Sequence, residues 1–180
     1  MNRIFLPLAV VSTIFLVATF VLGLQIDDPK VAKSAVTAHS LTALAAMCFA
    51  TLVHAIVLTY FMGTGRWIEE VAQAYRLSPL LHAENQSLKY RVVPMIVGCF
   101  LSLLATGALG AAISPGATVQ FAGGMGLSAT MWHRSFAIVT LLANIGAHYG
   151  EYLALFRNGE VVESVLAEVR RIREEKGLAV

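Results

Sequence analysis

The sequence predicts an all-α integral membrane protein: a four-helix transmembrane bundle made of two repeated helical hairpins, with amphipathic helices on the cytoplasmic side. Three observations carry this. The chain of 180 residues is 57% hydrophobic and only 13% charged, against roughly 25% charged for a soluble domain. Its apolar residues gather into four long runs, at 4–24, 35–62, 92–113 and 132–156. The second half also repeats the first, and the repeat carries two pairs of histidines.

Taken in order, each run is long enough to cross a hydrocarbon core of about 30 Å at 1.5 Å per helical residue. The first follows Arg3 and has about twenty apolar residues, with no A-x-A site after it. It therefore reads as a retained helix rather than a cleaved signal segment. The segment 25–38 is a short outer loop with Asp27, Asp28, Pro29 and two lysines. The second run leads into an amphipathic segment at 66–78, and Pro79 breaks the chain before a short helix over 80–90. After the third run, 114–131 is uncharged and glycine-rich. It is expected to be a flexible loop, or one that folds onto the bilayer surface or a partner. The fourth run leads into a second amphipathic segment, 160–176, acidic at its start and basic at its end, as the helix dipole favours. The whole chain, 1–180, reads as a single membrane domain.

Orientation follows from the basic residues. If the N-terminus is cytoplasmic, Arg3, Arg66, Arg76, Lys89, Arg91, Arg157, Arg170, Arg171, Arg173 and Lys176 lie inside. Only Lys30, Lys33 and Arg134 lie outside. The positive-inside rule then places both termini in the cytoplasm, as in a bacterial-type inner membrane. The net charge of +2 and the interleaving of basic residues with Glu exclude a nucleic-acid surface. Cys48 and Cys99 sit alone in apolar runs and read as small hydrophobes. The sequence has no C-x-x-C-H haem attachment, no Fe–S cysteine motif and no nucleotide-binding glycine loop.

The repeat is visible residue by residue. Ala-Thr-Phe-Val-Leu-Gly at 18–23 matches Ala-Thr-Gly-Ala-Leu-Gly at 105–110, and Arg3 and Pro7 match Arg91 and Pro94. His39 and His54 match His133 and His148 at an offset of 94 residues. Gly65, Glu69 and Val71 match Gly159, Glu163 and Val165 at the same offset. A duplicated hairpin makes helices two and four parallel. His39 should then face His133 in an outer layer and His54 should face His148 in an inner layer. Fifteen residues separate the layers by about 22 Å and leave both histidines of a helix on one broad face.

Ionisable side chains at membrane depth are costly and mark functional positions. Two histidines per layer are too few for zinc, which takes three or four protein ligands. They suit a macrocycle that already fills four positions of an iron and needs one axial imidazole from each side. The expected cofactors are therefore two non-covalent b-type haems, with His39 and His133 on the outer iron and His54 and His148 on the inner one. Small residues line the expected faces, namely Ala43, Ala46 and Ala50 on helix two and Ala137 and Thr140 on helix four. Asn144 is a mid-helix amide that must find a partner. Arg134, Arg66 and Arg157 are candidates for the haem propionates, and snorkelling to the interface is the plainer use of each. Glu151 follows His148 by three residues and shares its helix face, so the two could serve a metal, a proton relay or a quinone headgroup. Tyr149 and Tyr152 fit an interfacial aromatic belt. His82 reads as a solvated or interfacial histidine.

Paired histidines 15 residues apart on alternate membrane helices resemble the dihaem four-helix core of cytochrome b from bc-type complexes, over about residues 1–156. The resemblance implies a haem near each membrane face and electron transfer between them, with Gly23, Gly98, Gly107 and Gly110 as partial counterparts of the family's haem-facing glycines. The family's quinol-site motifs have no counterpart here. The expected function is transmembrane electron transfer, as a cytochrome or as the membrane subunit of an oxidoreductase. Its partners would be lipid, a redox protein or a quinone, within a larger complex or homo-oligomer. Two alternatives stand beside it. One is a non-catalytic structural or assembly subunit, with interhelical or pigment-binding histidines. The other is a membrane metalloenzyme with a site near His148 and Glu151.

Overall fold

A computed structural model describes residues 1–26 and 32–179. The expected loop residues Asp27, Asp28, Pro29 and Lys30 lie outside that range. The chain forms four helices: α1 (Asn2–Leu24), α2 (Lys33–Tyr75), α3 (Pro79–Ala112) and α4 (Ala129–Glu175). α1 packs mainly on α2 and α3 mainly on α4; α2–α3, α1–α4 and α2–α4 contacts join the two pairs. Among the described residues, α1, α2 and α3 are long and apolar enough to cross a membrane. α4 falls short because its apolar stretch is interrupted by His133, Arg134, Asn144, His148 and Glu151.

The helices run further than the apolar runs. α2 has 43 residues and α4 has 47, so each is about 65–70 Å long. The amphipathic segments are continuations of α2 and α4, because neither Gly65 nor Gly159 breaks the ladder. The short helix expected over 80–90 is the start of α3, with Pro79 at the first position and the Ser78 hydroxyl accepting from the Leu80 N–H. α2 is capped by Arg76, which takes a left-handed conformation (φ 54°) while the Leu77 N–H bonds back to the Ala72 carbonyl.

One core cluster fills the end of the molecule where the three extensions meet. It contains Val57, Phe61, Ile68, Leu88, Val161 and Val165, with Phe5 from α1. A buried amide pair sits among these residues. Asn85 donates to Asn158 Oδ1 at 2.6 Å, and Asn158 donates to Thr64 Oγ1 at 3.1 Å. Gly65 makes that pair possible, since a Cβ there would stand 2.7 Å from Asn85 Oδ1.

At the opposite end, the glycine-rich segment contains a two-strand hairpin, β1 (Gly123–Gly124) and β2 (Leu127–Ser128). Its two central residues, Met125 (φ 55°) and Gly126 (φ 76°), are both left-handed, the requirement of the tightest hairpin turn. Trp132 Nε1 donates to the Gly124 carbonyl at 3.0 Å and holds the hairpin against α4. The Ser128 hydroxyl then caps that helix by accepting from the Met131 N–H.

Candidate functional site: two histidine layers

The structure brings both expected couples together. The His39 and His133 rings lie 6.2 Å apart, centre to centre, at 88°. The His54 and His148 rings lie 5.3 Å apart at 37°. α2 and α4 are thus parallel and in the register of the repeat. The two layers have different surroundings, however.

In the outer layer, His39 Nδ1 donates to the Thr19 carbonyl at 3.0 Å. That bond fixes the tautomer and frees Nε2 for a ligand. α1 comes this close because Gly23 has no side chain; a Cβ there would stand 2.9 Å from His39 Cε1. The repeat copies the close approach but not the hydrogen bond: a Cβ on Gly110 would stand 2.9 Å from His133 Cε1, and His133 Nδ1 is buried without a partner. Beside the outer couple opens a cavity of about 440 Å³, lined by Ala43, Ala46, Gly107, Ala137, His39 and His133. Arg134 also lines it, and its guanidinium reaches the Ile26 carbonyl at 3.5 Å.

The inner layer is closed. His54 is fully buried, Glu151 is fully buried and His148 is 6% exposed. Phe100 packs edge-on against His54 at 5.8 Å, and Phe5 against His148 at 6.3 Å. His54 Nε2 donates to Asn144 Oδ1 at 3.1 Å, while Asn144 Nδ2 donates to the Thr140 carbonyl at 2.7 Å, which sets the amide's orientation. With its Nε2 proton thus committed, His54 shares one further proton between Nδ1 and Glu151 Oε1, at 2.6 Å. The single Thr13 hydroxyl proton goes to the Ala9 carbonyl at 2.8 Å. The contact of 3.3 Å between Thr13 Oγ1 and His148 Nδ1 therefore has the ring N–H donating. His148 Nε2 is left as a bare lone pair, and both it and Glu151 Oε2 are buried without a partner.

Whether a porphyrin fits differs between the layers. Two axial imidazoles with nitrogen–metal bonds of about 2 Å put ring centres roughly 6 Å apart. The outer couple has that separation, a free ring nitrogen on His39, and an adjoining cavity in the usual range for cofactor sites. The inner couple is closer and more nearly parallel, and Phe5, Phe100, Asn144 and Glu151 take the space that a macrocycle needs. The present arrangement of the inner residues does not fit a haem.

The other expected positions are spread out. Arg66 is exposed and paired to Glu70 at 2.9 Å, and Arg157 is exposed. Neither is brought to a histidine layer. His82 is half-buried and within 2.7 Å of Gln86 Nε2 on the same helix. Of the candidate glycines, Gly98 faces open space and Gly107 meets the Met47 side chain. The sequence reading gave no role to Thr13, Phe5 or Phe100. Thr13 lies six residues before Thr19, whose carbonyl serves His39, and nothing in the sequence marks it. Glu151 was placed beside His148 on its own helix; its bond is to His54 across the interface.

Comparison with protein-family models, with curated proteins and with solved structures matched none of them.

Proposed function

We propose that the protein is a membrane-embedded electron carrier in which His39 and His133 hold a b-type haem in the outer layer. The observation that carries this is the facing pair of imidazoles, 6.2 Å apart beside a cavity of about 440 Å³, kept open by a glycine on each flanking helix.

Membrane insertion of all four helices is supported by the outward faces. Leu6, Val10, Ile14 and Val17 on α1, and Leu101 and Leu104 on α3, are exposed. α4 follows the same rule despite its polar residues. Thr140, Asn144, His148 and Glu151 are buried on one face, whereas Ile138, Leu142, Ile145, Tyr149 and Phe156 are exposed on the other. A helix with polar groups inside and apolar groups outside is stable only in an apolar medium. The positive-inside distribution puts both termini in the cytoplasm and the hairpin of 123–128 outside.

Bound haem supplies a one-electron couple in a medium of low dielectric. The chain's own residues do the rest. His39 and His133 face each other from α2 and α4 and would hold the group between them. The Thr19 carbonyl holds His39 in the tautomer that leaves Nε2 free. Gly23 and Gly110 let α1 and α3 close over the histidines. Arg134, at the mouth of the cavity, supplies positive charge for a carboxylate on the bound group. A lone carrier needs a donor and an acceptor. A redox subunit or a quinone fills those roles, and the long helix extensions offer a cytoplasmic docking surface.

The test is a reduced-minus-oxidised spectrum of the purified full-length protein. Sharp b-type bands are expected from the wild type, lost in His39→Ala and in His133→Ala and retained in His54→Ala. A colourless wild-type protein would overturn the proposal.

A further inference from the structure

The inner layer has a chemistry of its own. His54, His148 and Glu151 each offer a donor atom, and these atoms lie within 4.8 Å of one another. The acceptor atoms these side chains carry are His54 Nδ1, His148 Nε2 and the two Glu151 oxygens. One proton, shared between His54 and Glu151 at 2.6 Å, serves all four. His148 Nε2 and Glu151 Oε2 have nothing. Bare lone pairs buried away from water cost free energy unless a donor or a cation meets them.

The outer nitrogens of both rings are already held in the way that metal-binding histidines are held. Ligating imidazoles donate their second N–H to an oxygen, which sets the tautomer and aims the free lone pair. Asn144 Oδ1 takes the N–H of His54, and Thr13 Oγ1 takes that of His148. Both remaining lone pairs then belong to the cluster. Asn144 is itself anchored to the Thr140 carbonyl, and Thr13 to the Ala9 carbonyl.

We infer that His54, His148 and Glu151 form a site for one divalent first-row transition metal ion of the zinc or ferrous-iron class. Two imidazoles and one carboxylate suit such ions, whereas magnesium and calcium prefer oxygen ligands throughout. Loading the site replaces the shared proton. The ion bonds to His54 Nδ1, His148 Nε2 and the Glu151 carboxylate, and one proton leaves to solvent per ion bound. The inference goes beyond the haem reading and does not depend on it, because no residue is common to the two sets.

The experiment uses the full chain in detergent, stripped with a chelator and titrated with Co²⁺, whose visible bands report its ligands. One equivalent should bind, be displaced by Zn²⁺, and release about one proton, read by calorimetry in two buffers. Glu151→Gln and His148→Ala should each weaken binding by at least 100-fold. Asn144→Ala should weaken it 10–100-fold by releasing the His54 ring, and Arg66→Ala should leave it unchanged. Should the variants misfold, the wild-type titration still decides. Folded wild type that takes up no Co²⁺ or Zn²⁺ overturns the inference, as does a second haem lost with His54. Haem content is read on the same samples, so failure of metal binding with haem retained sinks this inference alone.

Discussion

The His39/His133 and His54/His148 couples descend from one repeated unit, yet the structure surrounds them differently. The outer couple adjoins an open cavity and has a glycine from α1 and from α3 against its rings. The inner couple has Phe5 and Thr13 from α1, Phe100 from α3, and Asn144 and Glu151 from α4 itself. Duplication reproduces ligand spacing. What a layer can hold is then decided by the neighbouring helices, where a hydrogen atom in place of a side chain makes room and a benzyl group removes it. The comparison can be attacked from both sides.

The largest effect is expected from filling the outer layer. Gly23→Leu or Gly110→Leu puts a branched side chain where even a Cβ lies 2.9 Å from a histidine ring. Haem content, measured as absorbance per chain, should fall by about tenfold or more while the helical circular dichroism is kept. Gly98→Leu, which faces open space, should leave haem content intact.

Opening the inner layer should instead be read in stability. His54→Ala leaves Glu151 and Asn144 buried without their partner. Breaking a buried pair of this kind costs about 3–5 kcal/mol, so thermal unfolding in detergent should come at a clearly lower temperature with haem retained. An unchanged melt would show that the His54–Glu151 bond contributes nothing. A smaller loss, about 1–3 kcal/mol for disrupting a buried hydrogen-bonded amide, is expected for Gly65→Ala, whose Cβ would meet Asn85 Oδ1 at 2.7 Å. It should leave both histidine layers untouched. Arg66→Ala removes an exposed i,i+4 pair and should change neither the melt nor the haem content, which checks that Arg66 plays no part in either site.

Much of this was legible before any coordinates. The apolar runs located the helices, and the offset of 94 residues paired the histidines correctly because a parallel repeat carries depth as well as identity. Helix ends were less legible. Hydropathy reports where an apolar run ends, and α2 and α4 continue past that point without a breaker, so their amphipathic extensions read as separate pieces. The sequence of 123–128 predicts a loop rather than a hairpin because its turn begins with Met125 instead of the usual Asn or Gly. The inner cluster was half visible. Sequence spacing put Glu151 on the face of His148, but spacing along one helix says nothing about the partner on another. Only packing shows Glu151 on His54, and only the hydroxyl of Thr13 reveals which nitrogen of His148 is free. Gly23 and Gly110 are legible as repeat matches and, through the resemblance, as counterparts of haem-facing glycines; their contact with the histidine rings required three dimensions.

The most direct test of the central claim is the ratio of haem to chain in the purified protein, counted by pyridine haemochrome against amino-acid analysis. The account predicts one haem per chain, abolished by His39→Ala or His133→Ala and unaffected by His54→Ala or His148→Ala. A ratio of two, or a single haem that survives loss of His39 but not of His54, would contradict it.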